Sequence, residues 1–195
     1  MGGKSVKEKI IDLLKSTERK GMDKLIAAME QGGFFEAPCS TNKHLSYPGG
    51  LAEHSLNVYS AMVDIDAGLA ADLPDDSLVI CAVLHDLGKM GDHGKANYVE
   101  NILKSGERSS AKPYSTNDEL IYLAHEIRSA MIAERYIELS EDEEAAILWH
   151  NGLYSQFKYD IPGKETPLYM IMHWADMWAS RVMEKEDKNG SMEKD

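Results

Sequence analysis

Near the end of this chain an aspartate stands inside an otherwise apolar helical stripe, and the fold must answer to that placement. Thr166 at a cap position, Pro167 at the first helical position, and Leu168, Met172, Ala175, Ala179 and Met183 at three- and four-residue intervals predict a helix with one buried face. Asp176 is embedded in that face. A buried carboxylate loses its hydration and must recover the energy from hydrogen bonds or a cation. The fold therefore has to bring Asp176 a partner from elsewhere. The same problem arises in Ala82-Val83-Leu84-His85-Asp86-Leu87-Gly88-Lys89, where adjacent imidazole and carboxylate groups end a hydrophobic run.

Most of the remaining pattern is helical. Val6, Ile10, Leu13 and Leu14, then Met22, Leu25, Ile26 and Met29, mark two amphipathic helices within residues 4–32 that end at Gly32-Gly33. Residues 34–50 carry Pro38, Asn42, His44, Pro48 and Gly49-Gly50 and read as a loop. Leu51, Ser55, Val58, Met62 and Ile65 predict a long helix with His54 at the edge of its buried stripe. After Leu73-Pro74, Asp75-Asp76 are expected to cap a helix running through Val79, Ile80, Val83 and Leu84 to Gly88, with His85-Asp86 in its last turn.

Between Gly91 and Tyr114 the helical period fades, and the alternating stretch from Tyr98 to Leu103 predicts a small hairpin or an ordered loop. Thr116 and Glu119, and again Ser140 and Glu143, stand at capping-box spacing. They predict two further helices, the first carrying His125 and the second closing at Asn151-Gly152 with His150 at its end. The charged sequence over 185–195 is expected to fray. The expectation is one all-α domain over 1–195, a helical bundle with a core of about 50–184 and room for one small β-hairpin.

Composition limits the partners. With 195 residues, a net charge of −12 and no dense Lys/Arg block, the surface repels phosphate backbones, so no long nucleic acid is expected. A small anionic substrate stays compatible if bound cations make a pocket locally positive. No apolar run approaches a membrane span, the first residues lack an apolar signal core, and Cys39 and Cys81 do not form a disulfide framework. The expected setting is soluble and cytoplasmic, without a membrane partner.

A lone histidine is ordinarily a hydrogen-bonded core or surface residue. Here His54, His85, His125 and His150 each sit on, or at the end of, a separate expected helix, and Asp86 and Asp176 add hard oxygen donors. Side chains converging from several helices on one interior point are how a bundle builds a metal site. His93, between Asp92 and Gly94, reads as a loop residue, and His173, one turn before Asp176, as packing. Trp149, Trp174 and Trp178 read as core or rim packing, and Glu141-Asp142-Glu143-Glu144 as a solvated first turn.

The order His54, then His85-Asp86, then Asp176 resembles that of the HD-domain metal-dependent phosphohydrolase family. Residues Tyr47 to Val58 are similar to the family's first-histidine helix, and Leu84-His85-Asp86-Leu87-Gly88-Lys89 to its signature. Leu123-Ala124-His125 and Ile147-Leu148-Trp149-His150-Asn151-Gly152 resemble the additional histidine motifs of members that hold two metals, and the stretch from His173 to Ser180 resembles the closing aspartate helix. Where many relatives have a Gly-His-Gly-Glu type of sequence, this chain has Ala124-His125-Glu126-Ile127.

The resemblance implies a first metal site of His54, His85, Asp86 and Asp176, with Asp86 bridging to a second ion held by His125 and His150. One or two divalent transition-metal ions are expected; Mn, Fe, Ni, Co or Zn suits mixed imidazole and carboxylate ligands. It also implies hydrolysis of a phosphate ester, that of a nucleotide or related small molecule, by metal-activated water. Asp86 and Lys89 would be the catalytic residues. Lys89 would also bind the substrate phosphate as a point charge, with His44 touching the substrate or donating a proton. Two other functions stay open: a phosphodiesterase or 3'-5' exoribonuclease acting on a cyclic nucleotide or short RNA, and a non-catalytic metal-stabilised module that binds a nucleotide or a protein.

Overall fold

Central to the molecule is a helix apolar on every side. In the computed structural model, which describes residues 3–185, α4 (Asp75–Leu84) is buried at every position from Ser77 to Leu84. A helix without a polar face belongs in the interior. Val79, Ile80, Val83 and Leu84 pack into one hydrophobic cluster, while Leu78, Cys81 and Ala82 pack into another. Burying Leu78, Val79, Ile80, Val83 and Leu84 contributes about 1.5–3 kcal/mol for each side chain.

The first cluster is completed by α1 (Val6–Ser16), α2 (Met22–Gly32), the start of α3 (Gly50–Leu69), α5 (His125–Ala133) and α6 (Glu141–Trp149). The second draws on the middle of α3 and on α7 (Pro167–Trp178). The fold is thus all-α, and α4 delivers its C-terminal end, and whatever residues stand there, to the middle of the protein. No helix among the described residues is long and apolar enough to cross a membrane. The expected tail over 186–195 lies outside the described residues.

Several boundaries differ from the sequence expectation. α4 ends at Leu84 rather than Gly88: His85 is its C-cap, Asp86 adopts φ −106° and ψ 11°, and Leu87–Met90 form a separate 3-10 turn. Asp75 and Asp76 occupy the first turn, with Pro74 at the cap position; both complement the helix dipole, and Asp76 Oδ1 accepts the first-turn amide of Ser77 at 3.0 Å. Thr116 does not start a helix. It ends β4 (Tyr114–Thr116), which pairs antiparallel with β3 (Tyr98–Glu100). The Glu119 amide that a capping box would have used donates instead to Asn117 Oδ1 at 3.0 Å, and α5 begins at His125. A second, smaller hairpin pairs β1 (Gly91–Asp92) with β2 (Lys95–Ala96).

The capping box at Ser140 and Glu143 is formed, but Glu143 is not solvated. Its carboxylate is fully buried, meets Arg19 at 2.5 Å and accepts a 2.7 Å hydrogen bond from Ser77 Oγ. Arg19 also reaches Asp76 at 2.7 Å. This network ties the connection between α1 and α2 to the N-terminal ends of α4 and α6.

Candidate metal centre

Five elements aim side chains at the point where α4 ends. His54 projects from α3, His85 and Asp86 follow α4, His150 is the C-cap of α6, Asp176 lies on α7, and His125 is the first residue of α5. His54, His85, Asp86 and His150 are almost completely buried.

Gly88 sets the position of His125. A Cβ there would lie 2.4 Å from the His125 carbonyl oxygen and 2.9 Å from Arg128 Cβ, and the Gly88 amide donates to Ser129 Oγ at 2.8 Å. The glycine is required by this close approach of the 3-10 turn to α5; its φ is not positive.

Each imidazole is oriented by a partner on its Nδ1 side. His85 Nδ1 donates to the Ala82 carbonyl at 2.9 Å and His150 Nδ1 to the Ile147 carbonyl at 2.7 Å. A carbonyl only accepts, so the proton sits on Nδ1 and the Nε2 lone pair turns inward. His54 Nδ1 donates to Glu184 Oε1 at 2.9 Å, and His125 Nδ1 lies 3.3 Å from Glu126 Oε2.

The inward atoms form two clusters that share Asp86. In the first, His54 Nε2 is 3.3 Å from His85 Nε2, 3.2 Å from Asp176 Oδ1 and 3.6 Å from Asp86 Oδ2, and His85 Nε2 is 3.3 Å from the same Oδ2. In the second, His125 Nε2 and His150 Nε2 are 3.3 Å apart and lie 3.1 Å and 3.6 Å from Asp86 Oδ1. Ligands about 2.1 Å from a tetrahedral ion would be spaced about 3.4 Å apart. Asp86 Oδ1 is buried and accepts no hydrogen bond. Such an orphaned oxygen between two imidazole nitrogens fits a cation, so both clusters could hold a divalent metal.

The electrostatics agree. Burial alone would raise the Asp86 carboxyl, but the Lys89 ammonium and His85 hold it well below the usual carboxylate range. Asp176 is likewise lowered, against its burial, by His54. Burial pushes His150 down to about 3, with His85 adding to the effect, so its imidazole is neutral and free to ligate. His54 is the exception: burial would lower it, but Cys39, Asp176 and Glu184 raise it well above its ordinary value. The surrounding groups thus favour positive charge at this point.

Lys89 Nζ lies 2.6 Å from Asp86 Oδ2 and also lines the adjoining cavity of about 750 Å³. His44 lines the same cavity, with Nδ1 2.6 Å from Glu184 Oε2 and Nε2 4.0 Å from Cys39 Sγ. His93 is exposed in the turn between β1 and β2, as expected. His173 Nδ1 donates to the His150 carbonyl at 2.7 Å and its ring stacks on Tyr169, so it supports His150 beyond simple packing. Trp149 packs edge-on against Tyr169, whereas Trp174 and Trp178 are exposed and take no part in the core.

Two contributors, Glu184 and Asn151, have no site role in the sequence expectation. Glu184 is buried and gathers His54, His44 and Asn57, the last donating from Nδ2 at 3.0 Å. It follows a π-helical turn over Ala179–Met183, and its amide reaches back to the Ala179 carbonyl. The spacing of Asp176, Ser180 and Glu184 at i, i+4 and i+8 was the available signal. Asn151 Nδ2 lies 3.0 Å from His150 Nε2 and 3.3 Å from His125 Nε2; nothing in its local sequence marks it apart from its adjacency to His150.

No curated protein and no solved structure matches the chain. The family model of the HD domain matches residues 51–179, a span that contains every inward-facing histidine and aspartate described above. The chain therefore belongs to the HD-domain family, whose members are in general metal-dependent phosphohydrolases.

Proposed function

We propose that this chain hydrolyses a phosphate ester of a small molecule, most naturally a nucleotide, with His54, His85, Asp86 and Asp176 holding one divalent transition-metal ion and Asp86, His125 and His150 a second. The observation that carries this reading is the division of Asp86: Oδ2 faces one cluster and Oδ1 the other. A site holding one structural ion has no need of such a bridge. When bound, the ions would lower the pKa of water and polarise the phosphoryl oxygens.

The protein's own groups do the rest. The Nδ1 partners keep the imidazoles in the ligating tautomer, and Lys89, beside Asp86, sets an ammonium where negative charge develops on the phosphoryl group. His44 has Nδ1 committed to Glu184, so in this reading Nε2 is the atom through which it touches the substrate or donates a proton at the cavity wall. A cavity of about 750 Å³ suits a nucleotide-sized ligand.

The test is turnover of phosphate monoesters, nucleotides, cyclic nucleotides and short single-stranded RNA by protein reconstituted separately with Mn, Fe, Co, Ni and Zn. Hydrolysis of monoesters or nucleotides, with Lys89→Ala retaining metal but losing turnover, supports the proposal. Failure on the whole panel with every metal overturns it, and faster cleavage of RNA or cyclic nucleotides would move the substrate to the phosphodiester class.

A further inference from the structure

The cavity that holds the metal centre has a mouth of opposite sign to the rest of the protein. The chain carries 33 acidic and 21 basic residues, yet Lys43, Lys89, Arg181 and Lys185 all line this one cavity. The acidic groups on its wall are already engaged. Asp86 is paired with Lys89, Asp176 with His54, and Glu184 with His44, His54 and Asn57. Lys89 is thereby committed at the floor. Lys43, Arg181 and Lys185 make no ion pair among the described residues and remain exposed.

Arg181 is also pre-oriented. Its guanidinium lies over the ring of Tyr154, 5.0 Å from the centroid, and both residues border the cavity. Stacking on an aromatic face restrains the side chain while leaving the edge N–H groups free to fork onto an anion. Helical register links this group to the metal centre: Asp176, Met177, Ser180, Arg181 and Glu184 repeat at i, i+1, i+4, i+5 and i+8 and all face the cavity.

We infer that Arg181, stacked on Tyr154 and assisted by Lys43 and Lys185, forms a second anion-binding position at the mouth of the cavity, so that the substrate carries two anionic groups. One sits at the metal cluster and Lys89, the other at Arg181. The shared chemistry is a second phosphate, whether the next phosphoryl group of a nucleoside di- or triphosphate or a phosphate on another position of the same molecule. The inference rests on the phosphohydrolase reading for what happens at the floor, but its binding test is independent of turnover.

The experiment measures equilibrium binding of phosphate, methylenediphosphonate and adenosine 3',5'-bisphosphate to the Mn-loaded protein and to Arg181→Ala and Arg181→Lys, by calorimetry at two salt concentrations. KM values for p-nitrophenyl phosphate, a nucleoside diphosphate and the 3',5'-bisphosphate are measured alongside. Removing a charge-assisted contact weakens binding by about 10- to 100-fold. In Arg181→Ala the preference for bis-anionic over mono-anionic ligands is expected to shrink by that factor, with Arg181→Lys between. Loss of preference for methylenediphosphonate alone assigns adjacent phosphoryl groups; loss for the 3',5'-bisphosphate alone assigns separated ones. An unchanged preference in Arg181→Ala, or no preference in the parent protein, overturns the inference even if p-nitrophenyl phosphate is hydrolysed. Arg181-dependent binding without turnover of any ester would instead uphold it while defeating the phosphohydrolase reading.

Discussion

Replacing Glu184 by alanine removes the one carboxylate that His54 Nδ1, His44 Nδ1 and Asn57 Nδ2 all use, at 2.9, 2.6 and 3.0 Å. A buried donor left without a partner costs about 1–3 kcal/mol. His54 is fully buried and bears the whole penalty, whereas His44 and Asn57 are partly exposed and recover some of it from water. The expected loss is about 3 kcal/mol in stability. For a chain of this size that corresponds to a fall of about 6–12 °C in melting temperature. Freed from Glu184, the His54 ring can also turn its Nε2 away from His85 and Asp176, and loss of such a supporting contact lowers metal affinity by about 10- to 100-fold. Thermal unfolding of the chelated protein and metal titration of the folded protein read the two effects separately. Glu184→Gln, which keeps an acceptor for one imidazole, should fall between. An alanine variant with the parent's melting temperature and metal affinity would refute the argument that Glu184 orients His54.

The same carboxylate sets a pH window. Its own burial would raise it, but His44 and His54 bring Glu184 down to about 2 from 4.5, so its stabilisation is fully present above 4.5 and fades as pH falls through 2. Burial would lower His44, yet Cys39 and Glu184 raise it from 6.5 to about 9, so its stabilisation is fully present below 6.5 and fades as pH rises through 9. With metal chelated, the stability difference between the parent and Glu184→Gln should peak between pH 4.5 and 6.5 in urea titrations; a flat difference would contradict the pairing. Gly88→Ala sets a methyl 2.4 Å from the His125 carbonyl and should displace α5, weakening the second cluster's metal more than the first's in a two-step titration. Equal weakening would show that Gly88 acts globally. Arg19→Ala leaves the fully buried Glu143 without its cation and should cost about 3–5 kcal/mol in chemical denaturation; a loss below about 1 kcal/mol would mean the pair behaves like a surface one.

Helical phase made much of the candidate centre legible. Asp176 lies in an apolar stripe and His85-Asp86 follow a helix hydrophobic on all sides, and both patterns place polar groups in the interior without any tertiary information. Local rules failed where a nearby group competed. Asn117 takes the Glu119 amide, so the apparent capping box at Thr116 became the end of a strand, and the helix that His125 opens has its cap at Ala124 rather than Thr116. They failed again where the partner was distant: Arg19 and Glu143 are 124 residues apart, and nothing in an acidic first turn announces a buried pair. Glu184 was hidden first by distance, since His54 stands 130 residues away. It follows a π turn that breaks the regular period, and it resembles the charged sequence beyond it.

Metal content bears most directly on the central claim, because one carboxylate is held to serve both clusters. Protein purified without chelator, and its Asp86→Ala variant, can be compared by elemental analysis per folded chain. The account predicts about two transition-metal ions in the parent and a loss of both in the variant. Full metal content in folded Asp86→Ala would contradict it.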